Sequence, residues 1–220
     1  MALNKLPFGS FNVTAAASTA IRFNSDADGF ETASAGGSLV KISTSTASSS
    51  STVSITSGLT STYKEYIFTF NNIHPSANAT NFTFNLSADT GSNYNVTKTT
   101  THFQAYHKPT NDSDYGFEYA GSNDLAQGTG GQILAQNVSD DNDGSMSGYL
   151  HLFDPSNTAF VKHFISAISY EQKSGGGAVY QVNSYIAGYG NTTAAIDGIQ
   201  FSMSSGNIDS GVIKMYGITK

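Results

Sequence analysis

The chain has no cysteine and no tryptophan, only 4 prolines, and few charges, with 12% of its residues Asp, Glu, Lys or Arg. Without cysteine there is neither a disulfide nor a thiolate metal site. Stability must then come from core packing or from assembly with other chains. An average globular chain carries roughly 25% charged residues. Here Gly, Ser, Thr and Asn take up the difference, residues that make turns and polar strand faces. The 10 basic residues are outnumbered by 16 acidic ones, leaving a net charge of −6. That balance lacks the basic footprint of a nucleic-acid or anionic-membrane binder. Long Ala/Leu/Glu/Lys helical runs are missing, and no segment approaches the length of a transmembrane helix. Pro7 and Gly9 stand where a secretory signal needs an apolar run, so synthesis in a cytoplasm is expected. Asn-x-Ser/Thr sequons such as 81–83 and 95–97 arise by chance in so Asn-, Ser- and Thr-rich a chain.

What remains is rich in β-formers. Aromatics make up 12% of the 220 residues, all Phe and Tyr, too many for a disordered chain. A single β-domain of this length buries roughly 70% of its unfolded-chain surface. In residues 63–75 (YKEYIFTFNNIHP), Tyr66, Phe68 and Phe70 alternate with Glu65, Ile67 and Thr69. This is the period of a strand with one aromatic face, and Ile67 lends the other face some apolar character. Pro75 cannot donate to a ladder and ends the strand. Residues 81–87, with Phe82, Phe84 and Leu86 in alternation, read as the cleanest half-buried strand. Further strands are expected at 20–23, 38–43, 52–56, 99–106, 115–119, 147–153, 160–169, 179–187, 195–203 and 212–216. Residues 44–51 read as a Ser/Thr connection, with extended backbone as an option. Residues 107–145 are the most irregular part, and long connections of this kind often carry binding. The expected architecture is all-β: a two-sheet β-sandwich of nine to eleven strands, of the jelly-roll kind, with another sandwich as the alternative. Residues 38–220 form the domain. Residues 1–37, small-residue rich and without a sustained period, form an extended N-terminal arm that docks or stays a tether.

Candidate sites are few. Residues 24–29 (NSDADG) resemble the first half of a calcium loop, with Asp26 and Asp28 as oxygen ligands and a glycine for the turn. Ala35 stands where the bidentate Glu is needed, so an Asx-type turn is the plainer reading. In 140–144 (DDNDG), Asp140 and Asp143 offer carboxylates in the wrong register for that loop, and a solvated turn is the competing reading. No cofactor is expected, and calcium is the one ion these turns raise. None of His74, His102, His107, His151 and His163 has the spacing of a helical zinc site. His151 and His163 fall on adjacent expected strands, where cross-strand polar stacking is their plainer use. No Gly-x-Ser-x-Gly elbow, phosphate loop or placed carboxylate pair can be assembled, so no enzyme is expected. Tyrosines are the better binding signal, because Tyr gives contact area at low entropic cost. Tyr115 and Tyr119, in the irregular region, are the candidate ligand-binding pair, whereas Tyr185 reads as core.

Four stretches carry a resemblance: residues 57–75 (SGLTSTYKEYIFTFNNIHP), 87–106 (SADTGSNYNVTKTTTHFQAY), 148–164 (GYLHLFDPSNTAFVKHF) and 199–218 (IQFSMSSGNIDSGVIKMYGI). From about residue 39 onward the sequence resembles a module of structural proteins of marine bacteriophages, especially cyanobacterial phages. Residues 23–30 (FNSDADGF) resemble leaders of such proteins. The resemblance implies a virion location on the particle exterior, as a decoration or accessory protein on head or tail. It implies other virion proteins as partners, a homo-oligomer, and no catalytic residues. In that reading Leu3, Leu6, Phe8, Phe11, Ile21 and Phe23 are the apolar contacts of the docking arm. The alternative is a tail-fibre-type module that recognises host-surface glycan. Neither reading involves nucleic acid or membrane insertion.

Overall fold

The structure is a computed structural model that describes residues 19–23, 25–26, 28–34, 38–173 and 177–218. The chain divides into two units, Met1–Ser38 and Leu39–Lys220. In the first, β1 (Thr19–Phe23) and β2 (Phe30–Ser34) form an antiparallel hairpin. Phe23 stacks on its cross-strand partner Phe30 with ring centroids 4.9 Å apart, and Arg22 pairs with Glu31 at 2.8 Å. The strand expected at 20–23 is β1. Leu3, Leu6, Phe8 and Phe11 lie outside the described residues.

The second unit is all-β. Its strands are β3 (Leu39–Ser50), β4 (Thr52–Ile55), β5 (Glu65–Pro75), β6 (Thr80–Ser87), β7 (Lys98–His107), β8 (Tyr115–Tyr119), β9 (Ala126–Gly128), β10 (Gln132–Val138), β11 (Met146–Phe153), β12 (Lys162–Lys173), β13 (Val179–Gly190), β14 (Gly198–Met203) and β15 (Ile208–Ile218). All thirteen belong to one antiparallel sheet. One run goes β3-β15-β5-β11-β12-β13-β7, with β8 and β9 both on β7, and a shorter run goes β10-β6-β14-β4. A single residue pair, Val138 with Gln172, joins the runs through β10 and β12. The expected all-β fold is therefore observed, as one sheet that nearly closes like a barrel.

The facing contact between the runs is aromatic. Tyr66, Phe68 and Phe70 of β5 are buried, as their alternation predicts. Phe70 meets Phe82 of β6 at 5.3 Å and Phe201 of β14 at 5.2 Å, and Phe68 meets Phe201 at 5.8 Å. Phe84 of β6 meets Phe164 of β12 edge-on at 5.0 Å. Such pairs add about 0.5–1.5 kcal/mol each beyond the area they bury. β5 is interior to the sheet, paired with β15 on one side and β11 on the other, and it ends on Pro75 as expected.

Two glycines are required by backbone geometry. Gly211 has φ +126° opposite Asn72, at a register shift between β15 and β5, and a Cβ there would press on the Asn72 carbonyl at 2.7 Å. Gly148 of β11 lies so close to the backbone of Ala167 and Ile168 on β12 that a side chain has no room.

Two segments depart from expectation. The Ser/Thr run 44–50 is strand, not connection, because β15 pairs along it from Ser50 to Leu39. The region 107–145, expected to be irregular beyond β8, contains β9 and β10. In β10 two register shifts against β6 break the alternation, and Leu134 and Ala135 are buried side by side.

Phe201 touches three other rings across the interior. Phe201→Ala is therefore expected to lower unfolding free energy by about 3–5 kcal/mol. Equilibrium urea unfolding monitored by tyrosine fluorescence reads this directly; a loss below about 1 kcal/mol would show that the ring contacts are not what joins the runs.

Candidate functional site

β7 breaks the usual pattern of a half-buried strand. Its inward residues are polar: Lys98, Thr100, His102 and Gln104 are all buried. Its outward residue Phe103 is exposed. The facing strand β10 answers with Gln132 and Gln136. Thr100 donates to Gln132 Oε1 at 2.6 Å, and Gln132 Nε2 donates to the Asn123 carbonyl at 3.1 Å. Asn123, in the 3-10 turn Gly121–Asn123, donates through Nδ2 to Gln136 Oε1 at 2.9 Å. Lys98 Nζ is held by Asn85 Oδ1 and by the Val96 carbonyl at 2.8 Å, and burial lowers its pKa to about 8. One end of the domain thus has a hydrogen-bonded polar interior where the other has phenylalanines.

Against this interior opens a cavity of about 480 Å³. Gln104, Tyr106, Glu118, Tyr119, Gln136 and Tyr180 line it, with Ser122 and Gln172. Gln104 Nε2 donates to Glu118 Oε1 at 2.6 Å. The Tyr119 hydroxyl bonds the Asp124 carboxylate, which raises the Tyr119 pKa. Tyr106 packs edge-on against Tyr180 at 5.5 Å, and Tyr180 donates to Asp114 Oδ2 at 3.4 Å. Four buried polar atoms at this end have no hydrogen-bond partner among the described residues: both ring nitrogens of His102, Gln104 Oε1 and Asp124 Oδ1. Buried groups left unpaired cost about 1–3 kcal/mol each, so a cluster of them points to function or to trapped solvent.

The outer face of the same strands carries exposed aromatics. On β8, Tyr115, Phe117 and Tyr119 are 67%, 70% and 62% exposed. Phe117 meets Phe103 at 5.5 Å, and Phe103 stacks on Tyr185 at 5.3 Å. Tyr185, expected in the core, is 44% exposed because Val182, Ser184 and Ile186 take the inward positions of β13. Tyr115 and Tyr119 share the outward face of β8, yet Tyr119 alone of the two reaches the cavity, while Tyr115 lies beside His107 at 6.2 Å.

The acidic turns differ from each other. Asp26 and Asp28 sit between β1 and β2, and Ser25 Oγ donates to Asp26 at 3.5 Å. Among the described residues, the one group of three side chains with metal-ligand geometry is Asp141, Asp143 and Glu171, whose ligand atoms lie within 4.8 Å of one another. Asp143 was expected there, but Asp140 is not part of the group; its neighbour Asp141 takes that place. Lys173 pairs with Asp141 at 2.7 Å. Burial, then the Asp143 and Asp141 charges, raise the Glu171 pKa. Glu171 arrives from β12 and was not legible as part of a turn-based motif. His151 and His163 do not pair: His151 is opposite Ile165 and 3.0 Å from Glu65, and His163 is opposite Tyr189.

Compared with protein-family models, curated proteins and solved structures, the chain matches none.

Burial pushes the His102 pKa from the ordinary 6.5 to about 4, against a smaller opposing effect of Asp124. The unfolded chain therefore takes up a proton that the folded chain refuses. Stability is full above pH 6.5 and falls as pH drops toward 4, by roughly 3 kcal/mol in total. In His102→Leu the difference from wild type between pH 7 and pH 4 is expected to close by that amount. Parallel denaturant-unfolding curves for the two proteins over this range would exclude the buried neutral imidazole.

Proposed function

We propose that the chain is a non-enzymatic structural protein on the exterior of a bacteriophage particle, a decoration or accessory protein attached to head or tail. The observation that carries this reading is the exposed aromatic row on β8, β7 and β13. Contiguous exposed apolar surface of this kind marks interaction sites rather than free solvent-facing sheet. It joins the resemblance of residues 57–75, 87–106, 148–164 and 199–218 to phage structural modules. In this reading the folded sheet serves as a β-sandwich of the jelly-roll kind, stable outside cells without disulfides through packing and oligomerisation. Residues 1–37 dock it to other virion proteins, with Ile21 and Phe23 among the contacts; both are exposed on β1. The protein is made in the host cytoplasm and works in the virion, without nucleic acid or membrane insertion.

A second reading has its own support. Tyr119 stands between the exposed row and the polar cavity, as an aromatic wall of a host-surface glycan site does. Here the protein acts as a tail-fibre-type receptor-binding module.

Two measurements separate these readings. Deletion of residues 1–37 is expected to leave a folded domain that no longer joins particles; quantitative recovery of the truncated protein in purified particles would end the docking role. Soluble full-length protein is expected to bind host cells, and Tyr119→Ala to weaken that binding roughly tenfold, the effect of losing one aromatic contact of about 1.4 kcal/mol. Absence of cell binding removes the glycan reading.

A further inference from the structure

The polar cavity has a feature that its surroundings leave unanswered. Gln104 is almost completely buried, lines the cavity, and has an Oε1 with no partner. Its amide cannot turn over, because Nε2 is held on Glu118 at 2.6 Å and the flipped group would set two acceptors against each other. The unmet group is therefore an acceptor, which a hydroxyl of a ligand or of water can answer. Asp124 Oδ1, the other unmet acceptor nearby, does not line the cavity, so Gln104 alone carries the argument.

We propose that this cavity is a binding site for one uncharged, hydroxyl-rich sugar unit, with the Gln104 side-chain carbonyl as its deciding acceptor. The proposal rests on the glycan reading and names the site and the ligand class. Four observations choose the class. The volume, about 480 Å³, is within the range of small-molecule sites. No Lys, Arg or His lines the cavity, and Lys108 nearby is paired with Asp114 at 3.5 Å, so a sulfated or uronic ligand finds carboxylates and no counter-charge. The wall also offers donors, from Ser122 and the side-chain amides of Gln136 and Gln172. A hydroxyl answers donors and acceptors alike, whereas an ammonium group answers acceptors only. Tyr106, Tyr119 and Tyr180 supply the aromatic surface on which the C–H face of a sugar ring packs.

The test is ligand-observed and protein-observed NMR on the full chain. The probes are methyl α-glucoside, methyl α-galactoside and methyl α-mannoside, with glucuronic acid and glucosamine as charged comparisons. At least one neutral glycoside is expected to bind saturably with a dissociation constant on the order of 1 mM, typical of so small a ligand. Gln104→Leu is expected to weaken that binding at least tenfold while the melting temperature does not fall, because the substitution removes an unpaired buried acceptor. Ser122→Trp, at an exposed turn position on the wall, is expected to block binding in the same way should Gln104→Leu fold poorly. Binding undiminished in both variants overturns the proposal, as does binding of glucuronic acid or glucosamine alone. If no glycoside binds but host cells still do, the cavity assignment fails and the glycan reading moves to the outer aromatic face. If neither binds, both fail.

Discussion

The contact between two runs of one sheet is what the rest of the molecule depends on. Only Val138 and Gln172 join β10 to β12 by strand pairing, so hydrogen bonds alone cannot hold the short run β10-β6-β14-β4 over the long one. Side chains do. Phe82, Phe84 and Phe201 from the short run meet Phe68, Phe70 and Phe164 from the long run, all of them buried. Rings suit this task because each spans much of the roughly 10 Å between packed sheet layers. A chain without cysteine has no covalent substitute for that grip. Every other feature, including the cavity, is positioned by which strands this aromatic contact brings face to face.

The same sheet then changes chemistry along its width. From β5 to β12 the inward positions are mostly apolar, Lys162 and Ser166 of β12 apart, but at β7 they become Lys98, Thr100, His102 and Gln104. An apolar strand here would bury more hydrophobic surface and leave no unpaired atoms. The polar interior therefore lowers stability, and the bonds from Thr100, Gln132 and Asn123 offset only part of that. Local departures of this kind concentrate at functional positions, where a site needs groups that a core does not. β7 is also the strand whose outer face holds Phe103 and whose neighbour β8 holds three exposed aromatics. Its inward face is polar from Lys98 to Gln104, while Phe103 is exposed on its outward face. Both surfaces a partner can use, cavity and outer row, follow from that arrangement.

This arrangement also explains what was legible beforehand. β5 and β6 were readable because their alternation matches the rule that apolar side chains face the core. β7 was readable as a strand but not by face, since period two says which residues share a side and not which side is inside. Tyr185 of β13, read as core yet 44% exposed, is the cost of the same ambiguity. β3 beyond Ser43 is nearly all Ser and Thr, a pattern that makes strand only when a partner such as β15 pairs with it. β10 was hidden by its register shifts, which place Leu134 and Ala135 inward in succession. Of the residues singled out in the sequence, Tyr119 lines the cavity and Asp143 belongs to the acidic group, whereas Gln104 and Glu171 were not singled out as parts of either. Each of those two sits in a strand, and what marks it is its neighbour across the fold: Glu118 for the one, Asp141 and Asp143 for the other.

The two ends of the domain differ in how freely their residues can change. Residues of the aromatic contact touch one another, so changing one ring disturbs several. Residues of β8 touch β7 along one side and otherwise face solvent, as do Gly121 and Ser122 in the turn after it, whereas Asn123 is buried. A substitution at Tyr115, Phe117 or Ser122 therefore changes the exposed surface at little cost to the fold. Gln104 is the exception at that end, buried under the exposed rim and tied to Glu118. A rim that can change above a fixed polar floor is suited to keeping one ligand class while altering which member of it is preferred.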